Sequence, residues 1–562
     1  MDMCNEDTSD CSEGTMSVLV TNLENKFKVR DYLLNEVIEG LLKFSDVSKR
    51  IKSIKVILNS VIANYGSSSI YNDRNQILCK NDLDQILSLE LLEEKVAKPL
   101  IAGEYYNELL KESVKLLFAS SSYLPPEIYG KLFTIDLLMT LISISEVAST
   151  DINSNMEVWT SCISTIRNII CHFNLSNDLL NRIVSCFFNI VDESSVQLCN
   201  VIVVKILFKS SESDDLSPGT LQSNLCFTIK LSRRIVEYLV SVLHRTQETQ
   251  ILSTACSTLV TICEHSYGVD LFLESGGLKR IIELSLVVAN KHEALVALES
   301  KCNKKSEVSQ KHMVSSPKLN INVDQAFNEL SFGALSVISK MAFTSNHNQI
   351  LSLIESDVPD SLVRLLNCPI TTSKCKARAC NTLGNLACET DSEVQAIIDS
   401  DALKTLVVIF QNDLDHTVRV ESAYAICACL SKANRKQIGY IISCNSKSNH
   451  LGDGTCMQLI SNMLDFIVKC DPSDQSSIKL SKVVLNGVEN ILRVGEHEIK
   501  SYNLTENPYT RMFREAEVFC SPGDVKLSRV CFFPEYNIAK KARMLMDEFF
   551  KSTRPWNIEV VH

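Results

Sequence analysis

Three stretches of this chain superimpose on one another: LESGGLKRIIEL from Leu273, IESDVPDSLVRLL from Ile354 and IDSDALKTLVVIF from Ile398. Each sets an aliphatic residue, an acid and Ser ahead of a Gly or Asp, and then opens a new amphipathic run. The last two begin 44 residues apart and the first two 81, which is one repeat plus an insert of about 37 residues, supplied by the polar stretch 285–322. A fixed period of this length restricts the chain to a stack of small supersecondary units, none of which can bury its apolar faces alone.

A second shared pattern lies beside each of these turns: ACSTLVTIC from Ala255, ALSVISKMA from Ala334, ACNTLGNLA from Ala379 and SAYAICACL from Ser422. Small and aliphatic residues recur in it at i, i+3 or i+4 and i+7, the stripe of a helix packed on neighbours on both sides. A 44-residue unit of two or three helices is the size of an armadillo or HEAT repeat. The expected fold is all-α, an armadillo-repeat right-handed α-solenoid with a long concave groove. Residues 17–250 carry helical spacing with little internal repetition, 251–284 and 323–519 carry the repeats, and 285–322 is expected to be a polar insert loop. Residues 1–16 read as a disordered acidic leader, and 520–562 as a C-terminal helix and tail.

Composition narrows the function classes. Hydrophobic residues make up 45% of the 562 and charged residues 22%, with only 17 Gly and 12 Pro, a poor supply of turn-formers for an all-β fold. The net charge of −11 argues against a general nucleic-acid binder and is compatible with a basic partner. The 22 cysteines sit in apolar runs such as AICACL and read as buried free thiols of an intracellular protein. No stretch approaches a membrane span, and MDMCNEDTSDCSEGT is too polar and acidic for a signal peptide.

Near the C-terminus a longer string becomes specific: VVLNGVENILRVGEHEIKSYNLTENPYTRMFREAEVF, from Val483 to Phe519. With Leu485-Asn486-Gly487, Glu489-Asn490, Ile491-Leu492-Arg493 and Asn507-Pro508-Tyr509, it is similar to the last armadillo repeats of the importin alpha family. EYNIAKKARMLMDEFF from Glu535 resembles that family's terminal helix, and RKQIGYIIS from Arg435 the segment after its penultimate cargo-binding repeat. The resemblance covers about residues 375–550.

The resemblance implies an adaptor that carries proteins with basic nuclear-localisation signals into the nucleus, shuttling between cytoplasm and nucleus. In that family a Trp and, four residues on, an Asn face the groove from each repeat. Lysine stems lie between the tryptophans, and the amides clamp the cargo backbone. The corresponding pairs in this chain are Ser257 and Thr261, Ser336 and Lys340, Asn381 and Asn385, and Tyr424 and Ala428, so the array is eroded. Candidate cargo-peptide residues are Asn385, Asn381, Tyr424, Glu421 at an acidic position of the minor site, and Asn168 on a looser alignment with Ser164. Arg378 has the opposite sign to Glu421 at the equivalent place, and with Lys340 it would repel a basic cargo. Alternative readings make Asn385 a surface amide, Tyr424 repeat core and Glu421 a solvated acid. Trp159 falls outside the register.

Asn486, Glu489, Asn490, Arg493 and Tyr509 mark the region that an exportin would grip during recycling. The family's basic importin beta-binding leader has no counterpart in 1–16, and the nearest basic cluster, VSKRIKSIK with Lys49, Arg50, Lys52 and Lys55, reads as a helix face. Asn507-Pro508-Tyr509 reads first as a turn. No phosphate loop, zinc spacing or catalytic constellation is present, LGDGT at Gly452 and Gly454 lacks the following lysine, and neither an enzyme nor a cofactor is expected. The competing expectation is an armadillo scaffold that keeps the fold and binds another protein.

Overall fold

The computed structural model describes residues 47–65, 107–123, 132–173, 175–211, 218–306, 321–387, 389–443, 475–515 and 530–550, with isolated positions between them. The acidic leader, the Gly452–Gly454 stretch and the tail beyond residue 550 lie outside these. Among the described residues the secondary structure is helical, without a strand, as the periodicity requires. The chain divides into two compact units, Met1–Leu231 and Ser232–His562.

The first unit contains α1 (Val47–Tyr65), α2 (Asn107–Tyr123), α3 (Ile135–Thr150), α4 (Ile152–Ile169), α5 (Asn177–Ser185), α6 (Glu193–Ser211) and the start of α7 (Pro218–Arg245). Here α2 packs on α1 and α4, and α4 on α3 and α6. Trp159 of α4 is fully buried, and its indole N–H donates to the Cys186 carbonyl at 3.1 Å, so it is core. The basic cluster is helical as expected, with Arg50 buried and Lys55 3.7 Å from Glu108.

The second unit shows why the three turn motifs superimpose. Helices α9 (Ser266–Glu274) and α10 (Leu278–Ser285), α13 (His347–Glu355) and α14 (Val358–Asn367), and α16 (Asp391–Asp399) and α17 (Ala402–Asn412) are each joined by that motif. At its fourth position Gly276, Asp357 and Asp401 all take the left-handed conformation, with φ of 73°, 58° and 58°. Gly adopts this region freely and Asp is among the few other residues that tolerate it, hence "Gly or Asp" at that position.

The small-residue pattern falls on the third helix of each unit: α8 (Thr249–Ile262), α12 (Ile321–Thr344), α15 (Ser373–Leu386) and α18 (His416–Lys432). Ala255, Ala334, Ala379 and Ser422 are fully buried, and their size lets successive third helices approach closely. These helices pack in sequence and continue into α20 (Gln475–Tyr502), forming one continuous layer. Gly487 serves the last contact, since a Cβ there would lie 3.2 Å from the Leu430 Cβ. Beyond α19 (Arg435–Ser443) and α20, α21 (Pro508–Glu515) and α22 (Tyr536–Phe549) pack on α20.

Two expectations need correction. The segment 251–284 straddles two repeats, because α8 closes one and α9–α10 open the next. The described part of the 285–322 insert is helix rather than loop: α11 spans Val287–Ser306 and α12 begins at Ile321, while residues 307–320 lie outside the described residues. Its VVANKHEALVALESKCNKKS is polar but rich in Ala, Leu, Glu and Lys, all good helix formers. Arg364 of α14 donates to Glu293 of α11 at 2.9 Å and ties the insert to the following repeat.

Candidate functional site

The layer of third helices holds most of the residues singled out in the sequence. On α15 and α18 four of them join into one hydrogen-bonded chain. The Asn381 amide donates to Glu421 at 2.7 Å, the Asn385 amide donates to the Asn381 carbonyl oxygen at 3.1 Å, and the Tyr424 hydroxyl donates to the Asn385 carbonyl oxygen at 3.1 Å. Asn385 and Tyr424 are both 7% exposed, so the surface-amide reading of Asn385 does not hold. Tyr424 lies against α15, where Gly384 leaves room for its ring, and packs between repeats.

Other ladder positions are similarly engaged. Lys340 pairs with Glu264 at 3.3 Å, and the Thr261 hydroxyl donates to the Ser257 carbonyl at 3.4 Å. Asn168 belongs to the first unit; its amide donates to Ser121 and Ser122, and its oxygen accepts from Arg167.

Four aromatic and cationic groups on this wall, Phe343, Lys479, Phe332 and Lys374, were missed in the sequence. Phe343, 63% exposed on α12, and Tyr424 on α18 flank the ammonium of Lys479 from α20, which lies 5.4 Å and 4.8 Å from their ring centroids. The layer therefore curls far enough for α20 to reach α12, although α15 and α18 intervene. Phe332 of α12 lies beneath Lys374 and Arg378 of α15, at 3.9 Å and 5.4 Å. A signal existed for the phenylalanines, since positions 332, 336, 340 and 343 share one helical face. None existed for Lys479, which tertiary folding alone brings there.

The proposed export-partner residues make contacts within the chain. Asn490 donates to the carbonyls of Leu430 and Ala433, both at 2.8 Å, closing the end of α18. Glu489 pairs with Lys541 at 2.7 Å and with Arg493 at 2.8 Å, Arg493 pairs also with Glu548, and Asn486 accepts from Lys541. Asn507 accepts from the backbone N–H groups of Tyr509 and Thr510 and donates to the Leu492 carbonyl at 2.8 Å, the turn role anticipated for it. Burial, followed by the neighbouring Glu498, pushes the Tyr509 hydroxyl up to about 12.

The wall is held in register by a second ladder, at 44-residue intervals, that the sequence reading did not find. Gln349, Glu393 and Gln437 stand at the third position of α13, α16 and α19. Each folds back on the start of its own helix and reaches the preceding first helix. Gln349 accepts from the Asn346 N–H and donates to Asp270 at 2.6 Å; Gln437 accepts from the Asn434 N–H and donates to the Asp391 carbonyl at 2.7 Å. In the middle rung one oxygen of the fully buried Glu393 accepts from the Glu389 and Thr390 N–H groups, and the other meets His347 at 2.9 Å. His347, Glu389 and Glu393 lie close enough to suggest a metal, but both Glu393 oxygens already have partners in this rung.

Repeats of two shorter helices and one long one, hinged at one left-handed residue and pinned every 44 residues, decide the class. The chain is an armadillo-type repeat protein.

No family model matches it. Importin subunit alpha-1 of Caenorhabditis elegans is 21% identical over 196 residues, which are 35% of this chain and 32% of that protein, so the match spans about a third of the relative's length. Among solved structures, an engineered protein matches at 15% identity and a TM-score of 0.44, over 82% of this armadillo chain and 98% of its own. A designed armadillo repeat protein in complex with the peptide (KR)4 matches at 18% identity and a TM-score of 0.38, over 56% and 98%.

Proposed function

We propose that this armadillo chain is a protein-interaction scaffold that binds an extended segment of a partner along the wall of α12, α15, α18 and α20, and that it has lost standard basic-signal recognition. One observation carries the reading: Glu421, Asn381, Asn385 and Tyr424 already hydrogen-bond to one another in a chain across α15 and α18. Amides that would clamp a peptide backbone already donate within the protein, and breaking those bonds sets the cost of making new ones against the gain. The cations on the same wall, Lys374, Arg378 and Lys479, further disfavour a lysine-rich ligand.

The second reading is a nuclear-import adaptor for basic signals, coupled to importin beta and recycled by an exportin, shuttling between cytoplasm and nucleus. It is supported by the likeness to importin subunit alpha-1 and by the Val483–Phe519 string.

Titration of a labelled lysine-rich signal peptide into the full chain separates the two. The scaffold reading expects no saturable binding, or binding indifferent to Asn385→Ala and Glu421→Arg. Binding that weakens at least about tenfold in both variants, together with capture of importin beta by the chain, would establish the adaptor instead.

A further inference from the structure

We infer that the cleft between α15 and α18 recognises an anionic side chain on an extended partner segment, a carboxylate or a phosphoryl group, received by Lys374 and Arg378. The inference rests on the scaffold reading and names what its partner carries. A cavity of about 570 Å³ opens there, lined by Phe332, Lys374, Arg378, Asn381, Asp415 and Glu421. That is room for a side chain and its flanking backbone.

Lys374 and Arg378 stand one turn apart on α15, so they project from the same face. The Lys374 ammonium and the Arg378 guanidinium both lie over the Phe332 ring, which limits the freedom of these charged ends. Among the described residues neither makes an ion pair, whereas Lys376 on the next face is neutralised by Asp413 at 3.1 Å and Lys340 by Glu264 at 3.3 Å.

The acids of the cleft have other partners, and among the described residues neither forms an ion pair with these cations. Glu421 is tied to Asn381 at 2.7 Å, and Asp415 accepts from the Thr417 and Val418 N–H groups at the start of α18. The guanidinium fork of Arg378 and the ammonium of Lys374 are therefore available to one oxyanion, the geometry in which charge-assisted hydrogen bonds are strongest. Glu421 and Asp415 on the facing side repel a second anion. The fitting segment thus carries a single acid followed closely by a basic residue, rather than a nucleic-acid backbone or an acidic run.

The test uses the full chain and three fluorescein-labelled peptides of about twelve residues, in which Glu, phosphoserine or Ala precedes Lys by two positions in a Gly/Ser background; fluorescence anisotropy reads binding. The inference expects the Glu or phosphoserine peptide to bind at least about tenfold more tightly than the Ala peptide. Either acid supports it, and the tighter one identifies the source of the charge. In the Lys374→Glu/Arg378→Glu variant that preference should vanish with the thermal melt unchanged, while Arg378→Lys should retain part of it. Equal binding of acid and Ala peptides, or a preference that survives the double charge reversal, overturns the inference and leaves the scaffold reading standing. If none of the three binds and hydrogen exchange finds no protection of the third helices by any partner peptide, both fall.

Discussion

Gly384 lies directly beneath the ring of Tyr424: a Cβ added there would sit 2.8 Å from the ring's Cδ1 and 2.9 Å from the Ala425 Cα. One helix carries the missing side chain and the next fills the space, so α15 and α18 are matched as a pair. Gly384→Ala should displace the ring, break its hydroxyl bond to Asn385 and destabilise the second unit by about 1–3 kcal/mol despite Ala's better helix propensity. Tyr424→Phe keeps the packing and should cost about 1 kcal/mol through the lost hydrogen bond alone. Urea denaturation followed by circular dichroism ranks the two; a Gly384→Ala chain as stable as the wild type would contradict this packing.

The middle rung offers a sharper contrast. Glu393→Ala strands two backbone N–H groups and His347, and should cost about 2–3 kcal/mol. Glu393→Gln should cost less than half as much, because Gln fills the same place in the rungs at 349 and 437. The same unfolding experiment reads both, and equal losses would show that the rung requires the carboxylate and that Gln does not replace it.

In the first unit Glu157 of α4 is held between Lys111 at 2.7 Å and Lys115 at 2.9 Å of α2. The hydrogen bond from Lys111, then that from Lys115, pulls its carboxyl down to about 2. A depressed carboxyl favours the folded state above its unfolded value of about 4.3, and that contribution fades as the pH falls towards 2. Thermal melts of wild type and Glu157→Gln should therefore differ at neutral pH and converge in acid, and added salt should shrink the difference because the pair is exposed. A difference that is constant from pH 7 to pH 2 would mean that charge is not its origin.

The thiols predict a labelling pattern. Burial pushes Cys256 and Cys263 up to about 12, whereas Cys171 is exposed. A short pulse of N-ethylmaleimide at pH 8, read by peptide mass spectrometry, should modify Cys171 and spare the other two until denaturant is added. Early modification of Cys256 would place α8 outside the packed layer.

How much was legible in the sequence can be judged residue by residue. The turn motif was readable because a left-handed residue admits few side chains, and Gly276, Asp357 and Asp401 stand in register for that reason. The third helices were readable because close packing demands small residues at fixed spacing. Asn385 and Tyr424 were found, but not that they bond to each other, because sequence gives the face of a helix and not the rotamer or neighbour that meets it. The rungs at 349, 393 and 437 escaped notice because Gln, Glu and Gln differ in charge while doing the same work.

The repeat period, the helical class and the recurring Gly or Asp turn between helices followed from the sequence alone, since each depends on interactions within a few residues or on a pattern that recurs every 44. Only the tertiary structure decided that the Asn381 and Asn385 amides are hydrogen-bonded to Glu421 and Tyr424, that Lys479 reaches across to Phe343, and that Lys374 and Arg378 stand together over Phe332. These contacts join separate helices, and their geometry is set by how far the stacked repeats curl. That curl sums many small packing angles, and no local pattern in the chain records it.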